Sequence, residues 1–394
     1  MLTLRKITVA SGDLGAAARA AAYLLGVDDS PAGIGFALDG VPAPSEAVRP
    51  VALWLGTEGA LGHVGVDAHA PVERAALARA FQGRHALRGD RIRTEGLILK
   101  EVEGERRRVR GTKSVDLTFS APKSVSVVWS QAGPDTRRVI ERGMVAAAEA
   151  MLAEMTLNKP VVPYRRALHP ARGFAAAAAL HVKARASEGD TIPAPQLHVH
   201  AVVVGVERSD GFFASPELSG MFRNGAPLEG GAVARARLAE ALADHGFAIE
   251  QDGRYFAIRG VPPQLIERMS SRTRDVQADV ERREATVGRP LTNLERSVAA
   301  LRTRARKSTE TTAQETAAAW RAQAQEAGFD RAAAEALRGT GTPLDPGTLP
   351  QRSAATLAAP IKTTNPRAAL LERAAGRLRL AEAYNILDEA TAAA

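Results

Sequence analysis

Two histidines one residue apart, His198 and His200, lie in the run Gln196-Leu-His-Val-His-Ala-Val-Val-Val-Gly-Val206. The β-branched content of this run reads as a strand over 196–206. Residues i and i+2 of a strand share a face, so both imidazoles converge on one point. Neutral imidazole is the commonest metal ligand. The chain has no cysteine, so a site for a borderline metal must be built from histidine and carboxylate. A useful catalytic ion needs a third ligand and one open position. His181, seventeen residues ahead of the pair, is the candidate. The intervening Ser187-Glu-Gly-Asp-Thr-Ile-Pro-Ala-Pro195 is turn-like, which suits a hairpin returning the chain beside the first histidine. His63, His69, His85, His169 and His245 sit in loop or helix contexts and read as ordinary surface or core residues.

Asp116 is the next reactive group. It lies in Lys113-Ser-Val-Asp-Leu-Thr-Phe-Ser120, where Val115, Leu117 and Phe119 face one way and Ser114, Asp116, Thr118 and Ser120 the other. Such a carboxylate either fixes the tautomer of a ligating histidine or takes a proton from a nucleophile. Tyrosine occurs four times, at 23, 164, 255 and 384. Tyr255 and Tyr164 read as packed, and Tyr384 lies near the C-terminus. Tyr23 ends an alanine-rich helix, where a side chain can project past the helix end.

Several elements must position these groups. Leu2, Leu4, Ile7 and Val9 suggest an opening strand with imperfect alternation after Leu4. Asp13 precedes the alanine-rich helix, with Gly26 as its stop. Residues 28–70 read as loop with short elements, and 71–87 as a helix. A second helix is expected to start at Ser120-Ala-Pro-Lys, with Ser120 as its cap and the proline in its first turn. A helix over 231–246 closes at Gly246, and short strands flank the turn Gln251-Asp-Gly-Arg254. From about 262 to 338 the pattern is helical and charged. Residues 267–307 carry eleven Lys/Arg against six acids, a local net of +5. A Gly/Pro/Thr-rich linker at 338–350 leads to a tail with one short helix at 366–392. The expectation is an α+β domain of roughly 300 residues, a helical extension and a loosely attached tail.

Composition sets outer limits. The 394 residues carry a net charge of +8, with 45% hydrophobic, 24% charged, 34 glycines and 22 prolines. That excludes a collagen, a disordered chain and a disulfide-stapled miniprotein. No apolar run reaches the ~18 residues of a membrane span, and the N-terminus has no signal-peptide core. The chain is therefore expected to be cytoplasmic and not inserted in a membrane. The basic excess favours a polyanionic partner, nucleic acid first.

Together the motifs resemble a known family. Val115-Asp-Leu-Thr-Phe-Ser-Ala-Pro-Lys-Ser-Val-Ser-Val127 is similar to the hallmark segment of MobF-type conjugative relaxases, the TrwC/TraI class of HUH endonucleases. Pro195-Gln-Leu-His-Val-His-Ala-Val-Val-Val204 resembles their His-x-His strand, and His181-x-x-x-Arg185 matches the position of their third histidine. Met1-Leu-Thr-Leu followed by Ala21-Ala-Tyr23 resembles their N-terminus, where the catalytic tyrosine lies on the first helix. Asp210-Gly-Phe-Phe, Gly260-Val-Pro-Pro-Gln-Leu-Ile-Glu, Ser271-Arg-Thr-Arg and Trp320-Arg-Ala-Gln-Ala resemble later segments of that domain. The likeness spans about 1–330, including a helical, DNA-contacting region at about 262–330. Residues 331–394 are left as linker and weakly structured tail. In contrast to family members with paired tyrosines, Leu24 follows Tyr23, and no further tyrosine occurs before 164. The loop between His181 and His198 is also longer than is usual in the family. No G-x-x-x-x-G-K-[ST] phosphate loop occurs, so a relaxase domain without its helicase is expected.

The resemblance implies an α+β fold with a central antiparallel sheet and helices packed on it. It implies site-specific nicking of single-stranded DNA at a plasmid transfer origin, with Tyr23 as nucleophile and a 5′-phosphotyrosyl intermediate. Asp116 assists, and His181, His198 and His200 hold a divalent ion, Mg²⁺, Mn²⁺ or Zn²⁺. Three neutral nitrogens suit Mn²⁺, Zn²⁺ or Ni²⁺ better than Mg²⁺, which prefers oxygen. Phosphate contacts are expected from Lys123 and the helix that starts near it, from Thr118, Ser120 and Arg185, and from Arg272 and Arg274. The expected protein partners are other relaxosome and coupling proteins, and the chain is expected to be a monomer. Two alternatives stand beside this: a non-catalytic origin-binding accessory protein and a rolling-circle replication initiator of the same superfamily.

Overall fold

The computed structural model describes residues 2–25, 52–102, 105–184, 192–303, 311–344 and 365–392. The chain opens with β1 (Leu2–Ala10), α1 (Leu14–Leu24), β2 (Ala52–Gly56), α2 (Glu58–Val64), α3 (Arg74–Phe81), β3 (Gly96–Val102) and β4 (Glu105–Ser120). There follow α4 (Lys123–Gln131), α5 (Pro134–Leu157), the small strands β5 (Val162–Tyr164) and β6 (Ala167–His169), β7 (Gly173–Lys183), β8 (Pro195–Glu207) and β9 (Phe213–Ala214). The C-terminal part comprises α6 (Leu218–Phe222), α7 (Ala226–Asp244), the hairpin β10 (Ile249–Asp252) and β11 (Tyr255–Ile258), and α8 (Pro263–Arg268). Last come α9 (Ser271–Val287), α10 (Asn293–Arg302), α11 (Ala313–Glu326), α12 (Arg331–Ala336), α13 (Pro366–Ala374) and α14 (Leu380–Ala392).

Seven strands form one antiparallel sheet in the order β1-β4-β8-β7-β2, with β3 on the N-terminal half of β4 and β9 on the end of β8. Both faces are covered. On one, Leu53, Leu55, Val115, Leu117, Phe119, Leu197 and Val199 pack against Val125, Val128, Met144, Met151 and Leu238 of α4, α5 and α7. On the other, Val9, Trp54, Ala175, Ala177, Val202 and Val204 meet Ala17, Ala21, Leu24, Leu61, Leu77 and Phe81 of α1, α2 and α3. The broken alternation of β1 now has a cause. Leu2 and Leu4 serve the first core, while Ile7 and Val9 serve the second. The α+β expectation, with a central antiparallel sheet and C-terminal helices, is met.

Four local expectations need correction. Ser120 does not cap a helix: it is the last residue of β4, paired with His198, and α4 starts at Lys123 behind Pro122. Proline cannot donate into a ladder, so the chain leaves the sheet there. The helix expected over 71–87 shrinks to α3, which stops before Gly83 at φ +71°. α7 begins at Ala226, earlier than 231, because Pro227 supplies a ready first turn. The stop at Gly26 and the greater part of 28–70 lie outside the described residues.

The tail is the fourth correction. Residues 366–392 form two helices, and these are docked. Leu370, Leu371, Ala374, Leu378 and Ala383 pack with Ala232 and Val233 of α7 in a small core of their own. Glu372 is buried and accepts from Arg235 at 2.6 Å and from Arg254 at 3.0 Å. Tyr384 donates to Glu154 at 3.1 Å, and burial beside that carboxylate raises its phenol well above the ordinary value. The short helices lack a strong apolar stripe, so buried ion pairs with the domain complete their packing. Replacing Glu372 with alanine strands the buried Arg235 and should cost about 3 kcal/mol. Chemical denaturation of the variant checks this.

Candidate metal centre and active site

The register of three strands builds the site. In the β7–β8 ladder His181 lies opposite His198, and Ala179 opposite His200. In the β4–β8 ladder His200 lies opposite Thr118, and His198 opposite Ser120. Directly opposed residues share a face, so the three imidazoles gather on the α1 side of the sheet. Their ring centroids are 4.9–5.3 Å apart, and one nitrogen from each lies within 4.8 Å of the other two. Among the described residues this is the one cluster with metal-ligand geometry. His63 stacks on Phe213, His69 pairs with Glu149, and His85 is buried and accepts from the backbone of Leu87 and Arg88. His169 lies edge-on to Tyr164, and His245 bonds the Ala241 carbonyl.

Hydrogen bonds set the tautomers. Nδ1 of His200 lies 2.8 Å from Asp116 Oδ2 and 3.1 Å from Thr118 Oγ1, while the Thr118 hydroxyl donates to Asp116 Oδ1 at 3.2 Å. Asp116 is only 4% exposed, and a buried carboxylate with these partners requires the proton on Nδ1, leaving a lone pair on Nε2. Nδ1 of His198 lies 2.9 Å from the Gln196 carbonyl, which imposes the same tautomer. Nε2 of His181 lies 2.9 Å from the Leu24 carbonyl, at the end of α1. Desolvation, reinforced by the adjacent His181 and His200, pushes the His198 pKa down to about 3, so the ring is neutral at pH 7. Three imidazole nitrogens with their protons oriented fit a borderline divalent cation. The C-terminal end of α1, the negative pole of its dipole, also faces the cluster.

Tyr23 sits in the last turn of α1, half-buried, with its ring 6.1 Å from that of His200 in an edge-on arrangement. Asp13 caps the other end of this helix through the Ala16 amide at 2.9 Å. Tyr23, Asp116, Thr118 and the triad are thus brought together, and Ser120 closes the same edge.

The other expected DNA contacts are distributed differently. Lys123 gives its ammonium to the Pro195 carbonyl at 2.8 Å, and burial lowers its pKa to about 8. Arg272 donates to the Thr303 carbonyl at 3.0 Å, and Arg274 is exposed on α9. Nearby arginines Arg268, Arg282, Arg283, Arg289 and Arg296 pair with Glu326, Asp279, Asp279, Glu295 and Glu284. Arg185 lies outside the described residues.

One cationic feature was missed from the sequence. Beyond Gly96–Gly111, β3 and β4 run on as a two-stranded ribbon. One face alternates exposed Leu97 and Leu99, each 61% exposed, with Arg110, Arg108 and Arg106. The signal was Arg106-Arg-Arg108 with Arg110, just upstream of the strand read from Lys113.

A family model described as TrwC relaxase matches residues 45–327. The chain belongs to the TrwC relaxase family. It is accordingly a DNA relaxase by class. The match starts beyond Tyr23, so the case for that phenol rests on its place beside the triad. A structure of the conjugative relaxase TrwC in complex with oriT DNA, copper-bound, superposes with a TM-score of 0.59 at 23% identity, covering 83% of this chain and 99% of that one. TrwC complexed with a 27-mer DNA comprising the recognition hairpin and the cleavage site gives 0.56 at 22% identity, with the same coverage. At that identity the likeness establishes the fold alone. No curated protein matches by sequence. Among the described residues of the relaxase, no helix is long and apolar enough to cross a membrane.

Asp116→Asn removes the charge that orients His200 and should weaken divalent-ion affinity about tenfold or more. Titration calorimetry with Mn²⁺ measures it.

Proposed function

We propose that this relaxase binds transfer-origin DNA and nicks one strand by transesterification at Tyr23. The observation that carries the reading is the edge-on approach of Tyr23 to His200 within the oriented triad. The phenolic oxygen attacks the scissile phosphorus, a Tyr–O–P bond forms, and the bond from phosphorus to the 3′-oxygen breaks. The phenol gives up one proton and the departing 3′-oxygen takes one. Phosphodiester energy is retained, so rejoining needs no nucleotide. His181, His198 and His200 are the residues to hold a divalent ion, Mn²⁺, Zn²⁺ or Ni²⁺ in preference to Mg²⁺, which when bound supplies Lewis-acid polarisation of the phosphate.

Asp116 had two possible roles. Its bonds to His200 and Thr118 favour that of orienting the histidine over that of taking the Tyr23 proton. Thr118 then acts on this carboxylate, and its part in DNA contact is secondary.

For DNA, a protruding two-stranded ribbon has the width to enter a major groove, and Arg106, Arg108 and Arg110 provide phosphate or base-edge contacts there. Arg274 and Ser120 are kept as further contacts, with Arg185 and Arg272 as proposals from the family resemblance.

Tyr23→Phe should abolish a denaturant-resistant protein–DNA adduct with a single-stranded origin oligonucleotide, and leave the dissociation constant within about twofold. An adduct of wild-type yield from this variant removes Tyr23 as nucleophile. Replacing Arg106 and Arg108 by alanine should weaken binding and reduce the slope of log K against log salt by about 2, if each meets one phosphate. Fluorescence anisotropy over a salt series reads both.

A further inference from the structure

Two of the three ligating strand positions are anchored by side chains or helix ends. His200 is referenced to Asp116, and His181 to the end of α1. His198 is different: its Nδ1 is referenced to a carbonyl of its own strand, that of Gln196 two residues back. The aim of His198 is therefore only as fixed as the peptides just before it.

Those peptides are pinned from outside the sheet. Pro193 and Pro195 lack N–H groups and cannot donate to a ladder, so their carbonyls are the available handles. The Trp320 indole of α11 donates to the Pro193 carbonyl at 2.9 Å, and the Lys123 ammonium of α4 donates to the Pro195 carbonyl at 2.8 Å. The next residues are held by the same helix and its approach. The Leu197 amide donates to Ser126 Oγ at 3.0 Å, the Ala121 amide donates to the Leu197 carbonyl at 3.0 Å, and Gln196 Nε2 donates to the Ala121 carbonyl at 3.0 Å. Trp320 is 4% exposed, and its own carbonyl accepts from Gln131 of α4 at 3.2 Å, which ties the two clamping helices together.

We propose that Lys123 and Trp320 are positioning residues for the histidine triad, a carbonyl clamp on Pro195 and Pro193 that sets the entry of β8 and so aims His198 at its companions. Lys123 belongs in this reading to the strand and not to a DNA phosphate. The inference rests on the triad being a metal centre. Loss of either donor leaves a partly buried carbonyl without that partner and frees the peptide that leads to His198, whereas the direct ligands are untouched.

The test uses the full chain and Cu²⁺ as probe, since imidazole sites take it up and its electron paramagnetic resonance reports nitrogen ligation. Trp320→Phe keeps the ring and removes the N–H; Lys123→Met keeps the stem and removes the ammonium. Each variant is expected to bind Cu²⁺ about tenfold more weakly and to show an altered nitrogen hyperfine pattern, with its thermal midpoint within a few degrees of wild type. Wild-type affinity and an unchanged spectrum in both variants overturn the clamp alone. A wild-type chain that takes up no Cu²⁺ overturns the metal-centre reading and the clamp with it. Should Lys123→Met fail to fold, Trp320→Phe decides the matter by itself.

Discussion

The pairing of His181 with His198 across the β7–β8 ladder is the constraint on which the site depends. Side chains in a strand alternate between faces, so a slip of one residue would move His198 and His200 into the core behind α4 and α5 and bring Leu197 and Val199 to the α1 side. The ladder does contain irregularities. One falls between Ala175 and Ala176, and another between His181 and Lys183. The pairs from Ala176 to His181 run without interruption between them, so the stretch that carries the triad is the regular part of the ladder. β4 fixes the opposite flank by placing Thr118 and Ser120 against the same two histidines.

A sheet buried on both faces is what lets this polar cluster sit at one end of its inner strands. Val202 and Val204 continue the face of His198 and His200 into the second core, next to Trp54 and Phe81. The change from apolar to polar along one strand face coincides with the end of α1, beyond which that helix no longer covers the sheet. Asp116 would be costly there alone. It is tolerated because His200 and Thr118 both donate to it, and the same bonds that satisfy the carboxylate orient the imidazole.

Much of the site was legible in the sequence and less of the fold. The strict alternation of 113–120 gave the orientation of Asp116, and His198-x-His200 gave two imidazoles on one face; both readings need only the period of a strand. Tyr23 was legible as a side chain at a helix end. The hairpin that returns His181 to strand 196–206 was read, but the alanine body of β7 was not, because Ala175–Ala179 carry little intrinsic strand preference; burial on both faces by α5 and α2 overrides it. The ribbon was missed because Arg106–Arg110 has no buried face to impose a pattern. The charged 268–307 stretch was ambiguous for a related reason, since sequence cannot tell a local arginine–carboxylate pair from a free cation. The docked tail was illegible because its decisive partners, Arg235, Glu154 and Glu229, are more than a hundred residues away.

α4 connects these observations. Its serines, which would weaken an isolated helix, each have a buried task. Ser124 Oγ accepts from the Ile258 amide of β11 at 3.0 Å, Ser126 Oγ from the Leu197 amide, and Ser130 Oγ from Gln131. A helix whose side-chain oxygens bond to two different strands cannot rotate without stranding several buried amides, each worth about 1–3 kcal/mol when left unmade. That rigidity explains why the segment from Val115 to Val127 reads as one motif although Asp116 and Thr118, which bond His200, lie on its strand alone. The strand supplies the groups beside the histidines, and the helix that follows holds the neighbouring strand in register against them.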